Sequence, residues 1–211
     1  MIENNEAYFT PIPVVESFLR KAFPTGLQGM TVLDPCVGTG NVLQACIAHG
    51  CGRVYGYDID PELVAYCERR FAHAPVRADF RVGDCRKLDE PVNLVITNPP
   101  FSLGFDVATR FISRYPGQQL ALLLRLAFLE TPLRAELHRA CPSDMYVLTR
   151  RVQYLVLREG RMVPKLNKDG KNGVDQWAYS WFHWSRAPGG KWSLLDIPAR
   201  AEQVRMAEDA A

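Results

Sequence analysis

Several features that define whole classes of protein are missing from this sequence. Its six cysteines include no Cys-x-x-Cys pair, and no histidine lies at zinc-ligand spacing from them, so we expect no metal site. The first residues show no basic region followed by an apolar segment, so we expect no signal peptide. No apolar run is long enough to cross a membrane. These absences predict a cytoplasmic protein with reduced thiols.

Two common nucleotide-binding loops are missing as well. The chain has neither Gly-x-Gly-x-x-Gly nor a P-loop ending in Gly-Lys-Ser/Thr. A net charge of +2 is too small to indicate nucleic-acid binding by itself. The 211 residues, 47% of them hydrophobic and 23% charged, are sufficient for one soluble α/β domain with a full core.

The sequence does contain a series of short apolar runs that alternate with segments of helical spacing. This pattern predicts an α/β domain with a mostly parallel sheet and helices on both faces. The expected strands lie near residues 30–34, 53–58, 79–85, 92–97, 120–124, 145–149 and 176–184.

The stretch with the most specific chemistry is Asn98-Pro99-Pro100-Phe101, which follows the apolar strand 92–97. Neither proline can donate to a sheet, so the strand must end in a rigid turn, where open α/β sheets bind their ligands. The Asn98 side-chain oxygen and the Pro99 carbonyl could each accept one N–H of an exocyclic amine and point its lone pair at an electrophile. Phe101 could stack on a flipped base.

A glycine-containing loop follows the first expected strand. Gly38 and Gly40 allow the backbone to approach a ligand closely, and Asp34, which precedes them, can accept hydrogen bonds from an ammonium group. After the second strand, Asp58 falls where related folds place an acid on ribose hydroxyls. Ile59 is then expected against an adenine face.

The order of these signals resembles the γ arrangement of DNA adenine-N6 methyltransferases. Tyr-Phe-Thr-Pro at 8–11 resembles their motif X, Asp-Pro-x-x-Gly-x-Gly at 34–40 their motif I, and Asn-Pro-Pro-Phe their catalytic motif IV. The likeness covers about residues 7–186. Further stretches resembling small phage-type members are Leu122–Glu130, Arg150–Arg151 and Trp181–Trp184.

The resemblance implies the class I methyltransferase (Rossmann-like) fold, which has a seven-stranded, mostly parallel sheet with an antiparallel last strand. It also implies S-adenosylmethionine as cofactor. It implies that Thr10, also the expected N-cap of a helix starting at Pro11, holds the methionine carboxylate of the cofactor. Tyr8 and Cys36 fall within the same cofactor-binding motifs. Asp84, just past the third strand, would accept from the adenine amine of the cofactor.

The segment 150–192 is the basic part of the chain, with nine basic and three acidic residues. Within it, the polar stretch Gly160–Gly173 reads as a mobile loop, either a solvated surface loop or a contact to the phosphate backbone of DNA. The residues assigned to that contact are Arg151, Lys165, Lys168 and Lys171.

We expect one domain over 1–211: an arm and helix (1–24), a cofactor-binding and catalytic core (25–149), the basic loop (150–176), and the last strand and end (177–192). The residues after Trp192 are expected to be frayed. The partner is double-stranded DNA with a flipped adenine. No separate target-recognition domain is visible, so recognition would be short or relaxed, or would require a homodimer or another partner.

Four alternatives remain open. Cytosine-N4 in DNA, adenine in RNA and a glutamine amide in protein all present an amine to the same turn. A non-catalytic nucleic-acid-binding subunit that keeps the fold is the fourth.

Overall fold

The computed structural model describes residues 8–87, 91–114, 117–166, 176–185 and 187–208. Within these ranges the chain forms ten strands and six α-helices. The strands are β1 (Thr31–Asp34), β2 (Arg53–Asp58), β3 (Arg77–Val82), β4 (Leu94–Thr97), β5 (Gln119–Arg125), β6 (Asp144–Leu148), β7 (Leu155–Arg158), β8 (Arg161–Pro164), β9 (Tyr179–Trp184) and β10 (Trp192–Leu195). The helices are α1 (Ile12–Ala22), α2 (Asn41–Ala48), α3 (Pro61–Arg70), α4 (Gly104–Arg114), α5 (Pro132–Ala140) and α6 (Arg200–Glu208).

Eight of the strands form one sheet in the order β10-β6-β9-β5-β4-β1-β2-β3. All neighbouring pairs are parallel except those made by β9, which runs antiparallel to both β5 and β6. The expected α/β class is therefore confirmed, including the antiparallel strand. The sheet has one strand more than the seven expected, because β10 pairs parallel with β6 at its edge.

The central strands are apolar because helices cover both of their faces. All four residues of β4 are buried, and the β5 residues from Leu120 to Leu124 are at most 2% exposed. The alternation expected along β9 is also present. On one face Trp181 stacks on Phe18 of α1, with ring centroids 4.6 Å apart. On the other face Phe182 joins the core beneath α4 and β5.

The segment after Trp192 differs from the expectation of a frayed end. It forms β10 and α6, and the helix is fixed by one buried side chain. Gln203 accepts from the Gln153 backbone N–H through Oε1 (2.9 Å) and donates through Nε2 to the Pro198 carbonyl (2.8 Å). Gln153 is 50 residues away in sequence, so local composition did not predict the ordered end.

The expected loop Gly160–Gly173 is also partly regular. Its first residues belong to β8, which pairs antiparallel with β7. The turn between the two strands has positive φ at Glu159 (50°) and Gly160 (77°), the conformation that tight hairpin turns require. Residues 167–175, which include Lys168 and Lys171, lie outside the described residues.

Across the described part of the chain, no helix is both long and apolar enough to span a membrane.

Candidate active site

The candidate site lies where β1 and β4, which are parallel neighbours, reach the same edge of the sheet. This is the edge at which open α/β sheets bind ligands. A small, partly open cavity is found there. Its lining residues are Tyr8, Phe9, Thr10, Asp34, Cys36, Val37, Gly38, Thr39, Asn41, Val42 and Asn98. Six of the predicted site residues therefore share this cavity.

Asp34 is the acidic group of the cavity and is 1% exposed. Its Oδ1 accepts from the Cys36 backbone N–H (3.1 Å), whereas Oδ2 has no hydrogen-bond partner among the described residues. Burial raises the pKa of Asp34 to about 7, although the nearby Thr97 hydroxyl opposes the shift. That hydroxyl does not reach hydrogen-bonding geometry in the structure. A cationic ligand group would therefore find an unpaired acceptor here.

Thr10 contributes a second unpaired polar atom. The sequence predicted Thr10 as the N-cap of the first helix, but Pro11 takes that position and no side chain caps α1. The prediction failed because the helix begins one residue later, at Ile12. The Thr10 hydroxyl is instead buried, with no partner in the described ranges. It can serve as a donor to an anionic ligand group at the start of α1.

The glycine loop is held by an acid from the next strand. Gly38 has a φ of 54°, and a Cβ at this position would lie 2.8 Å from the Phe9 ring. Its backbone N–H donates to Asp58 Oδ2 (2.9 Å), and the other Asp58 oxygen accepts from the Asp60 N–H (3.1 Å). Burial raises the pKa of Asp58. Gly40, with a φ of 82°, precedes α2 as its N-cap.

Asn98 projects from the end of β4 into the same cavity. Its Nδ2 donates to the Tyr8 carbonyl at 3.4 Å, which orients the amide. Its Oδ1 is buried, and no described residue hydrogen-bonds to it. Because an unpaired buried acceptor is costly, this oxygen is placed to accept from a ligand N–H.

The other three residues of the turn, Pro99, Pro100 and Phe101, pack against the neighbouring structure. Pro99 is buried, and the Pro100 carbonyl accepts from the Leu103 N–H (2.8 Å). Phe101 begins a short 3-10 turn and is half-buried. Its ring lies 5.7 Å from that of Tyr179, at an interplanar angle of 45°.

None of the three residues predicted for the adenosine part of the cofactor, Asp58, Ile59 and Asp84, lines this cavity. Ile59, after β2, is 70% exposed. Asp84, after β3, accepts from Arg86 through both carboxylate oxygens, at 2.7 and 2.9 Å. The Arg86 guanidinium lowers the pKa of Asp84 to about 2. Their expected contacts to the cofactor stay predictions.

Sequence reasoning missed a half-buried arginine that connects the cavity walls. Arg70, at the end of α3, donates through Nη1 to the Thr39 carbonyl (2.6 Å) and to Asn41 Oδ1 (2.8 Å). Asn41 in turn donates to the Thr10 carbonyl (2.9 Å). The arginine therefore fixes the glycine loop against the N-terminal arm. Its position one helix away from the loop gave no local signal.

Of the four basic residues predicted to contact DNA, the structure describes Lys165 and Arg151. Lys165 is half-buried, and its ammonium lies 3.4 Å from the centroid of the Tyr8 ring. Arg151 is exposed beyond the end of β6. Lys165 is therefore beside the cavity rather than on a remote loop.

Strand order, the antiparallel β9 and the loop after β1 together define the class I S-adenosylmethionine-dependent methyltransferase fold. Residues 32–113 match the family model described as a methyltransferase domain.

Known proteins provide the second comparison. The chain is 36% identical over 84 residues to the tRNA (guanine(10)-N2)-dimethyltransferase of Methanothermobacter thermautotrophicus, an alignment that covers 38% of this chain and 24% of that protein. It is 26% identical over 103 residues to the type II methyltransferase M.VspI of Vibrio sp. (strain 343), which covers 44% and 25%. The chain thus spans about a quarter of the length of these relatives.

A solved structure extends the likeness to nearly the whole chain. The type I restriction-modification system methyltransferase subunit of Streptococcus thermophilus superposes with a TM-score of 0.67 at 12% identity, over 97% of this chain and 53% of that one. At this identity the likeness establishes the fold. Together the comparisons show a methyltransferase domain with the class I fold.

The cofactor is S-adenosylmethionine, in keeping with the matched domain and with neighbours described as dependent on it. The residues present fit this group. An amino-acid ammonium and carboxylate require an acceptor and a donor, and the cavity provides the unpaired Asp34 Oδ2 and Thr10 hydroxyl. Among the described residues, no cluster of three or more metal-ligating side chains occurs.

Proposed function

We propose that this protein transfers a methyl group from S-adenosylmethionine to the exocyclic N6 of adenine in DNA. The observation that carries the proposal is the position of Asn98. Its unpaired Oδ1 lines the same cavity as Asp34 and Thr10, the residues suited to the methionine part of the cofactor. An acceptor for the target amine and the groups that hold the methyl donor thus lie side by side.

The residues of the turn have distinct roles in this reaction. When bound, S-adenosylmethionine supplies a methyl group on a cationic sulfur, and its transfer to the amine releases S-adenosylhomocysteine and a proton. Asn98 Oδ1 and the Pro99 carbonyl accept the two N–H groups of the amine and draw its nitrogen toward sp³ geometry. Pro100 keeps the turn rigid, and Phe101 stacks on the flipped base. Catalysis is then mainly positioning.

The cofactor contacts divide between the cavity and the strand ends beyond it. Asp34 accepts from the ammonium and Thr10 donates to the carboxylate, with Tyr8, Cys36 and Gly38 as walls. Asp58, Ile59 and Asp84 are proposed for the ribose and adenine. Arg86 donates to both carboxylate oxygens of Asp84. In the proposed contact, Asp84 accepts from the adenine amine in addition to Arg86.

DNA is the proposed partner because basic side chains follow the edge of the sheet at which Asn98 lies. Lys165 and Arg151 are the described members of this group, and Lys168 and Lys171 are proposed with them. Restriction-modification methyltransferases among the relatives and structural neighbours favour the same partner. A homodimer could supply the recognition surface that one chain lacks.

The test combines product analysis with cofactor binding. DNA from cells that express the protein is digested to nucleosides, and N6-methyladenine is measured by mass spectrometry. We expect the wild-type protein to form it and Asn98→Ala to form none, while calorimetry gives the variant an affinity for S-adenosylhomocysteine within about twofold of wild type. An active Asn98→Ala variant, or a different methylated nucleoside, would contradict the proposal.

An exocyclic amine in RNA is the second candidate. It is favoured by the 36% identity to an enzyme whose name specifies a guanine N2 of tRNA. The same digestion applied to RNA distinguishes the two substrates, because the methylated nucleoside would then carry ribose.

A further inference from the structure

The turn that carries Asn98 is adjacent to an arginine that the proposed mechanism does not use. Arg125 ends β5, the parallel neighbour of β4, so both residues lie at the same edge of the sheet. Arg125 is also in register with Tyr179 at the start of β9. Three strands therefore bring the arginine against the aromatic ring of the turn, Phe101.

The geometry of this contact is a stack. The guanidinium carbon of Arg125 lies 4.0 Å from the centroid of the Phe101 ring and 5.2 Å from that of Trp177. Its Nε also donates to the Tyr179 hydroxyl at 3.4 Å. Trp177 is 43% exposed, so the stack borders solvent. Such cation–π contacts hold the planar group in a defined orientation.

The stack limits how a flipped base can meet Phe101. One face of the ring is covered by the guanidinium, so a base that stacks on Phe101 uses the opposite face. The base plane would then lie about 3.5 Å from the ring, on the side away from Arg125. The guanidinium is 4.0 Å from the ring on the other side, so its distance to the base plane would exceed 4.0 Å. Hydrogen bonds to a base edge lie in the base plane. The guanidinium is therefore outside the range of the base edge.

A guanidinium is a permanent cation with donors only, so its ligand must be an acceptor. Outside the base plane, the anionic acceptors of a flipped nucleotide are its backbone phosphates, which pair best with a cation. We propose that Arg125 is a nucleic-acid-binding residue that contacts a phosphate next to the methylated base while it stacks on Phe101. This inference depends on the proposed function for the identity of the target, an extruded base in a nucleic acid.

The experiment measures binding rather than methylation. A fluorescent DNA duplex with one unpaired adenine is titrated with protein and S-adenosylhomocysteine at salt concentrations from about 50 to about 200 mM. The variants are Arg125→Ala, Arg125→Lys and Arg134→Ala. Arg134 is the matched control, because it also stacks on a ring, with its guanidinium carbon 5.0 Å from the centroid of Phe128, but on α5.

We expect Arg125→Ala to weaken duplex binding about tenfold and to reduce the slope of log affinity against log salt by about 0.9, the value for one phosphate. Arg125→Lys, which keeps the charge, should retain most of the slope. Arg134→Ala should match wild type, and affinity for S-adenosylhomocysteine should be unchanged in all three.

Two results would overturn the inference. Equal affinity and slope for Arg125→Ala and wild type would remove the phosphate contact. Tighter binding by Arg125→Ala would mean that the guanidinium occupies the face that the base needs. Failure of the proposed function would look different, since the wild-type protein would bind the duplex without forming N6-methyladenine.

Discussion

Cofactor affinity should depend strongly on pH because the pKa of the Asp34 carboxyl is close to neutral pH. Its pKa is about 7 in the free protein, whereas its proposed partner is a cationic ammonium. Only the ionised carboxylate forms a strong charged hydrogen bond with that group. Binding must therefore shift the Asp34 pKa down and release a proton in part of the molecules.

The magnitude follows from linkage. With a pKa of about 7, about one molecule in eleven is ionised at about pH 6 and ten in eleven at about pH 8, so affinity should rise about tenfold between them. The same burial affects stability. Folding raises the pKa of Asp34 from 3.8 to about 7, so the unfolded state releases its proton at lower pH than the folded state. The free energy of unfolding therefore falls as pH rises from about 4 to about 7, by about 4 kcal/mol in total.

The assay is calorimetric titration with S-adenosylhomocysteine, which carries the same amino-acid group. Repeating it near pH 7 in buffers of different ionisation enthalpy should give a release of about half a proton. Asp34→Asn should bind weakly, lose the pH dependence below pH 8 and raise unfolding stability at about pH 8. Asp79→Asn is the control, because Asp79 does not line the cavity and its hydrogen bond to Arg53 lowers its pKa. A flat affinity between about pH 6 and 8 would refute the reasoning.

Three further perturbations test the architecture. Arg70→Ala should weaken S-adenosylhomocysteine binding about tenfold in calorimetry, because the glycine loop loses two charged hydrogen bonds, whereas the exposed Arg69→Ala should not. Gly40→Ala should lower the unfolding free energy by more than about 2 kcal/mol, since its Cβ would meet a ring at 2.5 Å. Gly29→Ala, with a φ of 72° and open space around it, should lose only about 1 kcal/mol in the same denaturant titration. Phe18→Ala should lose about 3–5 kcal/mol by that measurement, and a smaller loss would contradict its core position.

The parts of the fold that the sequence predicted well have local causes. The strand expected at 92–97 ends at Thr97, directly before the Asn-Pro-Pro turn whose prolines cannot continue the ladder. The glycine loop and the turn after β4 were placed correctly at one edge because parallel strands end together. Local signals of this kind require no knowledge of distant partners.

The parts that failed depend on contacts between distant segments. β10 is ordered by its pairing with β6, more than forty residues earlier in the chain. Its Trp192 is 68% exposed, so burial of this side chain does not explain the order. Thr10 fits an N-cap equally well by residue type. Only the buried position of its hydroxyl distinguishes a ligand contact from a cap.

The docking of Phe9 has a consequence for the construction of the cavity. Phe9 exchanges two backbone hydrogen bonds with Leu155 of the β7–β8 hairpin while its ring covers Gly38. The candidate cavity and the β7–β8 hairpin therefore share residue 9 as a common wall. Moving the backbone of this residue away would break both hydrogen bonds to the hairpin and uncover Gly38, so the position of the hairpin and the closure of the cavity are coupled.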